Sequence, residues 1–256
     1  MTGLETLLRD ARAWLRAVAP EAKGIILAFL GFLVLHVLVF QPFTIPSDSM
    51  EPMLKTGDYV VVSKFSYGWS RYSIPFSLPL FHGRIFAKTP RRGDVIVFKL
   101  PRDTHIDYVK RLIGLPGDHV QLLHGVVYIN GRPLPQTAVG PALDPDAPWR
   151  EVTRVRETMP SGKSYTTLKA EPDHTGETTG VYVVPSDQYF FMGDNRDNSL
   201  DSRWPAEVDG VGFVPAENLV GKAEVIVASW RGGASLFEPW TWFTRFDPSR
   251  IFRPVI

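Results

Sequence analysis

Apolar and polar positions divide the chain into three stretches. In the first, Leu4, Leu7, Leu8, Ala11, Trp14, Leu15 and Val18 recur at steps of three and four residues, with Arg9, Arg12 and Arg16 on the other face. This period predicts an amphipathic helix over residues 1–22 lying on a membrane surface. Residues 24–40, GIILAFLGFLVLHVLVF, then run 17 positions without a charge. At about 1.5 Å per residue such a helix nearly crosses a hydrocarbon layer of roughly 30 Å, so with its flanks a transmembrane helix is predicted over 23–41. His36, its one polar residue, is expected to be satisfied by a neighbour. A cleaved targeting segment, with the SDS triplet at 47–49 as its processing site, is the rival reading. The length of the run and the acid inside the triplet argue against it, and a buried core helix ranks lower still.

The third stretch alternates differently. GDYVVVSKF (57–65), GDVIVFKL (93–100) and IDYVKRLIG (106–114) are short, β-branched and bounded by Gly, Pro or Asp, as strands are. GVVYINGRPL (125–134) holds Asn130-Gly131, the strongest short hairpin signal. VYVV (181–184), QYFFM (188–192) and NLVGKAEVIVAS (218–229) follow. The fold class expected is mainly β: a transmembrane helix, then an outer domain of antiparallel sheets over 42–256, with a smaller, looser β-rich lobe inserted at about 117–184. The 22 prolines, about 9% against a usual roughly 5%, fit strands and turns better than long helices.

Charge adds an orientation. Arg9, Arg12, Arg16 and Lys23 precede the span, whereas residues 41–60 carry only Lys55, beside Asp48, Glu51 and Asp58. The positive-inside rule puts the N-terminus in the cytoplasm and the residues after the span on the outer face. With 28 Lys and Arg against 27 Asp and Glu the net charge is +1, so nucleic acid is not an expected partner. No cysteine is present, which excludes disulfides, thiolate chemistry and cysteine metal sites.

Two serines, Ser47 and Ser49, stand just past the apolar run in TIPSDSMEPML (44–54). A serine hydroxyl is a weak nucleophile until a base takes its proton. His82, His105, His119, His124 and His174 are scattered and sit in no recognisable context, and there is no G-x-S-x-G or S-x-x-K. A lysine remains. Strand alternation puts Lys110 on one face with Tyr108 and Leu112, apolar company for an amine, although on the sequence alone this is a weak assignment.

PSDSMEPML (46–54), GDYVVVSKF (57–65), RGDVIVFKLPRDTHIDYVKRLIGLPGD (92–118) and GDNRDNSLDSR (193–203) together resemble, in order and spacing, the boxes of bacterial type I signal peptidases. The resemblance implies a Ser/Lys endopeptidase that removes N-terminal signal peptides from exported preproteins after small residues at −3 and −1. It implies Ser49 as nucleophile and Lys110 as general base, with Ser47 and the Ser49 N–H binding the oxyanion. Ser199 would orient the lysine, and Asp201 and Arg203 would form a supporting charge pair. Phe43, Ile45, Met50, Leu54, Tyr108 and Val109 match the shallow pockets for small side chains, which fits an A-x-A cleavage rule. No metal or organic cofactor is implied. The partners expected are signal peptides, membrane lipid and the general secretion translocon.

Two residues depart from the family's usual box. Asp48 stands between the serines where Gly is usual, and is expected to face solvent; Met53 stands where Thr is usual. The acids of GDNRDNSLDSR do not make an EF-hand, since Ser202 and Val208 stand where Gly and Glu are needed; a turn of paired charges is expected instead for Asp194, Arg196 and Asp197. The aromatic-rich residues 66–91 suggest no role. The tail from 230 to 256, with three tryptophans, has the composition of an interfacial patch. Two other functions fit the residues less well: a membrane-anchored, non-enzymatic β-module that binds exported proteins, and a pilin- or conjugation-type processing peptidase of the same family.

Overall fold

The computed structural model describes residues 22–34, 38–74, 77, 81–144, 147, 149–170, 176–232, 238 and 240–256. The amphipathic segment expected over 1–22 falls, except for Ala22, outside the described residues, as does His36. Residues 22–34 are helical, with Ile25, Phe29 and Phe32 each more than 60% exposed. Among the described residues no helix is long and apolar enough to cross a membrane.

From Phe40 onward the protein is mainly antiparallel β. The largest sheet has eight strands, running Phe40–Thr44, Asp58–Ser63, Leu219–Ser229, Val95–Leu100, Asp103–Gly114, Gln188–Met192 and Val214–Pro215, with Arg253–Pro254 added alongside Leu219–Ser229. The long Leu219–Ser229 strand is shared on one edge: Leu219–Lys222 pairs with Val95–Leu100, and Val225 and Ile226 pair with the C-terminal strand.

Alternation explains why Val95–Leu100 reads as a nearly unbroken apolar run. Ile96, Phe98 and Leu100 pack with Leu112, Phe191 and Val214, while Val95 and Val97 enter clusters with Val60, Ile226 and Val62. A strand covered on both faces needs apolar residues at every position. Lys99, its one charge, extends to Asp107 at 3.0 Å.

Residues 119–183 supply two smaller sheets, one of Tyr182–Val183, His119–Leu123, Val126–Ile129 and Arg132–Pro133, the other of Gln136–Leu143, Glu151–Thr158 and Ser164–Lys169. Asn130 and Gly131 have φ of 52° and 75° and join Ile129 to Arg132, the positive-φ pair that a two-residue hairpin of right-handed twist requires. Val120, Leu122, Val127 and Ile129 pack with Ile113, Phe190 and Met192 of the large sheet, so the two parts share one apolar core.

Part of the aromatic-rich stretch 66–91 is tied to the large sheet by Arg84, with Trp69 and Arg71 adding links to the Leu38 carbonyl and Glu217. The Arg84 guanidinium donates to the carbonyls of Tyr67 and Gly68 on one side and of Ala216 and Leu219 on the other, at 2.6–3.1 Å. Arg84→Ala would remove four hydrogen bonds to backbone carbonyls, of which those of Tyr67 and Ala216 keep the N–H groups of Lys88 and Leu219 as donors. Arg84→Ala is expected to speed amide hydrogen exchange across residues 64–88 while the Val95–Leu100 strand stays protected; unchanged exchange would show that Arg84 does not hold this segment.

Candidate active site

The turn between Phe40–Thr44 and Asp58–Ser63 carries both serines. It is pinched at its base, where Ile45 N–H donates to the Asp58 carbonyl and Gly57 N–H to the Ile45 carbonyl, each at 2.9 Å. Buried Asp58 meets Arg250 through Nε–Oδ1 at 2.8 Å and Nη2–Oδ2 at 2.5 Å, and accepts Lys55 N–H at 2.9 Å. Arg250 also reaches the Met53 carbonyl at 2.9 Å. Asp58 and Arg250 were not among the residues singled out in the sequence, where nothing links positions so far apart. The Asp48 side chain is half-buried, and Oδ1 accepts Thr56 N–H at 3.0 Å, closing the turn on itself. Met53 is buried beside Ile45, Met50 and Leu54.

Within this frame Asp48–Met50 forms one turn of 3₁₀ helix with Ser47 at its N-cap. Ser49 Oγ accepts a hydrogen bond from Lys110 Nζ at 2.5 Å, and lies 3.3 Å from Ser47 Oγ. Lys110 rises from the Asp103–Gly114 strand and is only 5% exposed. Its Nζ sits 5.4 Å from the centre of the Tyr108 ring, on the face that alternation gives them both. Burial pulls the Lys110 ammonium down from 10.5 to about 8; Asp201 and Asp194 push it back up and Arg203 lowers it further. Lys64 and Lys169 are also brought to about 8 by burial. Their ammonium groups donate to the carbonyls of Ser73 and Gly125, whereas Lys110 donates to a hydroxyl. A lowered value alone would not have chosen among the three.

Residues 193–203 back the site with paired charges. Asp194 takes a bidentate bond from Arg111 at 2.6 and 2.7 Å, both side chains fully buried. Arg196 pairs with buried Glu157. Asp197 Oδ2 accepts Ala170 N–H at 2.6 Å. Asp201 accepts Arg203 Nε at 2.9 Å and Gly193 N–H at 2.9 Å. Burial would raise the Asp201 carboxyl, but Arg203, the Gly193 amide and Lys110 outweigh it and hold it below the usual range. The Ser199 hydroxyl is buried without a hydrogen-bond partner among the described residues. It lies against Gly193, where a Cβ would strike both Ser199 Oγ and the Ser49 carbonyl oxygen. That carbonyl accepts Asn195 N–H at 3.1 Å, joining the 193–203 segment to the serine turn.

The six side chains matched to substrate pockets are distributed between core and surface. Ile45, Met50 and Leu54 are buried in one cluster with half-buried Val109 against it. Phe43 is half-buried beside Val109 on the neighbouring cluster, and Tyr108 packs toward Phe98. Phe43 also lines a groove of about 440 Å³ with Gln41, Tyr72, Thr104 and Asp107. Among the described residues no group of His, Asp or Glu is placed to hold a metal ion.

A hydroxyl in contact with a buried amine that titrates near neutrality has the chemistry of nucleophilic hydrolysis. The model of the signal peptidase, peptidase S26, family matches residues 19–230, and the chain belongs to that family. Signal peptidase I of Rickettsia typhi (strain ATCC VR-144 / Wilmington) is 40% identical over 264 residues, covering 96% of this chain and 97% of the relative. That of Rickettsia akari (strain Hartford) is 43% identical over 203 residues, 76% of this chain and 73% of its own. A solved signal peptidase I from Enterococcus faecalis V583 is 28% identical and covers 53% of this chain and 97% of that one; its TM-score of 0.32 is too low to carry an argument.

The lowered value of Lys110 is a stability statement. In the unfolded chain the amine titrates at 10.5, in the folded protein at about 8. The unfolded state therefore binds more protons between these values, and stability rises with pH across that window. The cost is fully present below about 8 and gone above 10.5; at about 1.4 kcal/mol per tenfold it reaches about 3 kcal/mol at pH 7. Lys110→Met is expected to unfold at higher temperature than wild type at pH 7, with the gap closing toward pH 10.5. A gap independent of pH would mean that the amine is not displaced.

Proposed function

We propose that the chain, by family a serine endopeptidase of the signal peptidase I type, removes signal peptides from exported preproteins using Ser49 as nucleophile and Lys110 as general base. The observation that carries this is the 2.5 Å contact between Lys110 Nζ and Ser49 Oγ, with the amine buried. Ser49 Oγ attacks the scissile carbonyl and its proton passes to neutral Lys110. The tetrahedral oxyanion is met by the Ser47 hydroxyl and the Ser49 N–H. Collapse expels the mature protein's new amino terminus, which takes the proton from Lys110 and leaves the signal peptide as an ester on Ser49. Lys110 then draws a proton from water, which hydrolyses the ester. Ser199, its hydroxyl uncommitted, is assigned to orient the lysine, and Asp201 with Arg203 to hold the backing charge pair. Phe43, Ile45, Met50, Leu54, Tyr108 and Val109 are assigned to shallow pockets that admit small residues at −3 and −1.

We place the chain in the inner membrane as a single-pass protein: a cytoplasmic segment over 1–22, a span over 23–41 and a periplasmic catalytic domain over 42–256 with a lobe inserted at about 117–184. Signal peptides would then meet it at the membrane, beside the general secretion translocon. Exposed apolar side chains all along the 22–34 helix support contact with lipid, as do exposed Phe40, Trp240, Trp242 and Phe243.

Two experiments test this reading. Wild type should cleave a preprotein with an A-x-A site, with a rate that rises as pH climbs through about 8, because only the neutral amine is a base. Ser49→Ala and Lys110→Ala should each be inactive; activity in Lys110→Ala would remove the base assignment, and a wild type that never cuts would favour the binding module. Because the chain has no cysteine, Thr2→Cys and Glu207→Cys provide clean probes of orientation. A membrane-impermeant maleimide applied to spheroplasts should label the second and spare the first, and labelling of both or of Thr2→Cys alone would overturn the placement.

A further inference from the structure

A cavity of about 370 Å³ opens beside the serine turn, walled by Pro52 and Met53 on one side and by Arg154, Arg156, Thr166 and Arg253 on others. Arg154 and Arg156 project from the same face of the Glu151–Thr158 strand, and Arg253 comes from the C-terminal strand that pairs with Ile226. All three are exposed, none makes an ion pair among the described residues, and no Asp or Glu lines the cavity. Among the described residues their one side-chain hydrogen bond is a long one, from Arg154 to the Pro141 carbonyl at 3.4 Å. The Ile256 carbonyl oxygen on the same wall is already taken by Arg111 at 2.9 Å.

The contrast with another cation-lined cavity is informative. The one bounded by Arg91, Arg92, Asp94, Lys163 and Lys222 holds three of its four cations in pairs, Arg92 with Asp118, Lys163 with Asp94 and Lys222 with Glu224. Those three are occupied by the fold, whereas none of the three beside Met53 is paired among the described residues. Three unpaired guanidiniums around one concavity make a focused positive potential suited to carboxylates.

Its position relates it to the reaction. Met53 follows Ser49 by four residues, so their Cα atoms lie at most about 15 Å apart, the span of four or five extended residues. None of the six side chains assigned to the pockets before the cut lines this cavity. We infer that it receives the first residues of the mature protein, on the leaving side of the scissile bond, and that Arg154, Arg156 and Arg253 favour preproteins whose mature part begins with acidic residues. The inference rests on the peptidase reading above. The arginines are specificity-determining residues; they touch the departing chain and leave the ester on Ser49 alone. They therefore act on acylation and not on deacylation.

The test uses the full chain in detergent and three preproteins with one signal sequence and A-x-A site, differing only in whether the second to fourth mature residues are Asp, Gln or Lys. Wild type is expected to cleave the Asp version with kcat/KM about five-fold above the Gln version, the preference fading in about 0.5 M salt. The triple variant R154Q/R156Q/R253Q should lose the preference and cleave the Gln version as wild type does. Arg156→Glu alone should shift preference toward the Lys version. A peptide ester that acylates Ser49 but carries no mature-side residues should react equally with all of them. Equal cleavage of the three substrates by wild type, or a preference retained in the triple variant, overturns the inference and leaves the peptidase reading standing. A triple variant that has also lost reactivity toward the ester overturns it as well, because the arginines would then be supporting the site itself. If wild type cuts none of the three, the peptidase reading falls and this inference with it.

Discussion

The structure depends on keeping one amine dry. A lysine in water is protonated almost all the time at neutral pH, and a protonated lysine cannot take a proton from serine. Lys110 escapes this by burial, and burial imposes conditions on everything near it: a strand that alternates Tyr108, Lys110 and Leu112 on one face, an apolar cluster under the serine turn, and no uncompensated charge close by. Asp201 and Asp194, which would favour the ammonium, are each bound to an arginine, so their pull on Lys110 is blunted. The site is thus built from near-cancelling charges around a desolvated amine.

The arginine pairs are costly in another way, because desolvating two ions often outweighs their attraction. Here each guanidinium does more than neutralise. Arg111 also holds the Gly93 and Ile256 carbonyls, Arg196 the Gly193 carbonyl, and Arg203 the Arg196 carbonyl. In the turns of residues 193–203 the Gly193 and Arg196 carbonyls are reached by these planar multi-donor side chains. Charge in this segment fixes a backbone path, and that path brings Asn195 to the Ser49 carbonyl.

Much of this could be read in the sequence, and the parts that could not share a cause. Strands such as Val95–Leu100 and Gln188–Met192 announced themselves by composition, and Asn130-Gly131 fixed a turn because its geometry is local. Ser49 and Lys110 came from their motifs acting together, since neither residue carries a local sign of its role. The bond that Asp48 accepts from Thr56 N–H is not legible in the sequence, because its partner is a backbone group that no side-chain pattern reveals. Arg84, Glu157 and Arg250 are not legible in the sequence because their partners are distant: Arg84 acts on carbonyls more than a hundred residues away as well as near ones, and Glu157 meets Arg196, 39 positions on. His124-Gly125 makes a second positive-φ turn between Leu123 and Val126, disguised by a histidine where Asn or Asp is usual.

The ion pair between Asp58 and Arg250 joins residues 192 positions apart. Its arginine lies almost at the end of the chain, yet it fastens the turn that presents Ser49. The serine turn, the lysine strand and the 193–203 segment all precede Arg250, so the turn that carries Ser49 is clamped only when residues 192 positions apart have met, and its order reports the folding of the whole sheet.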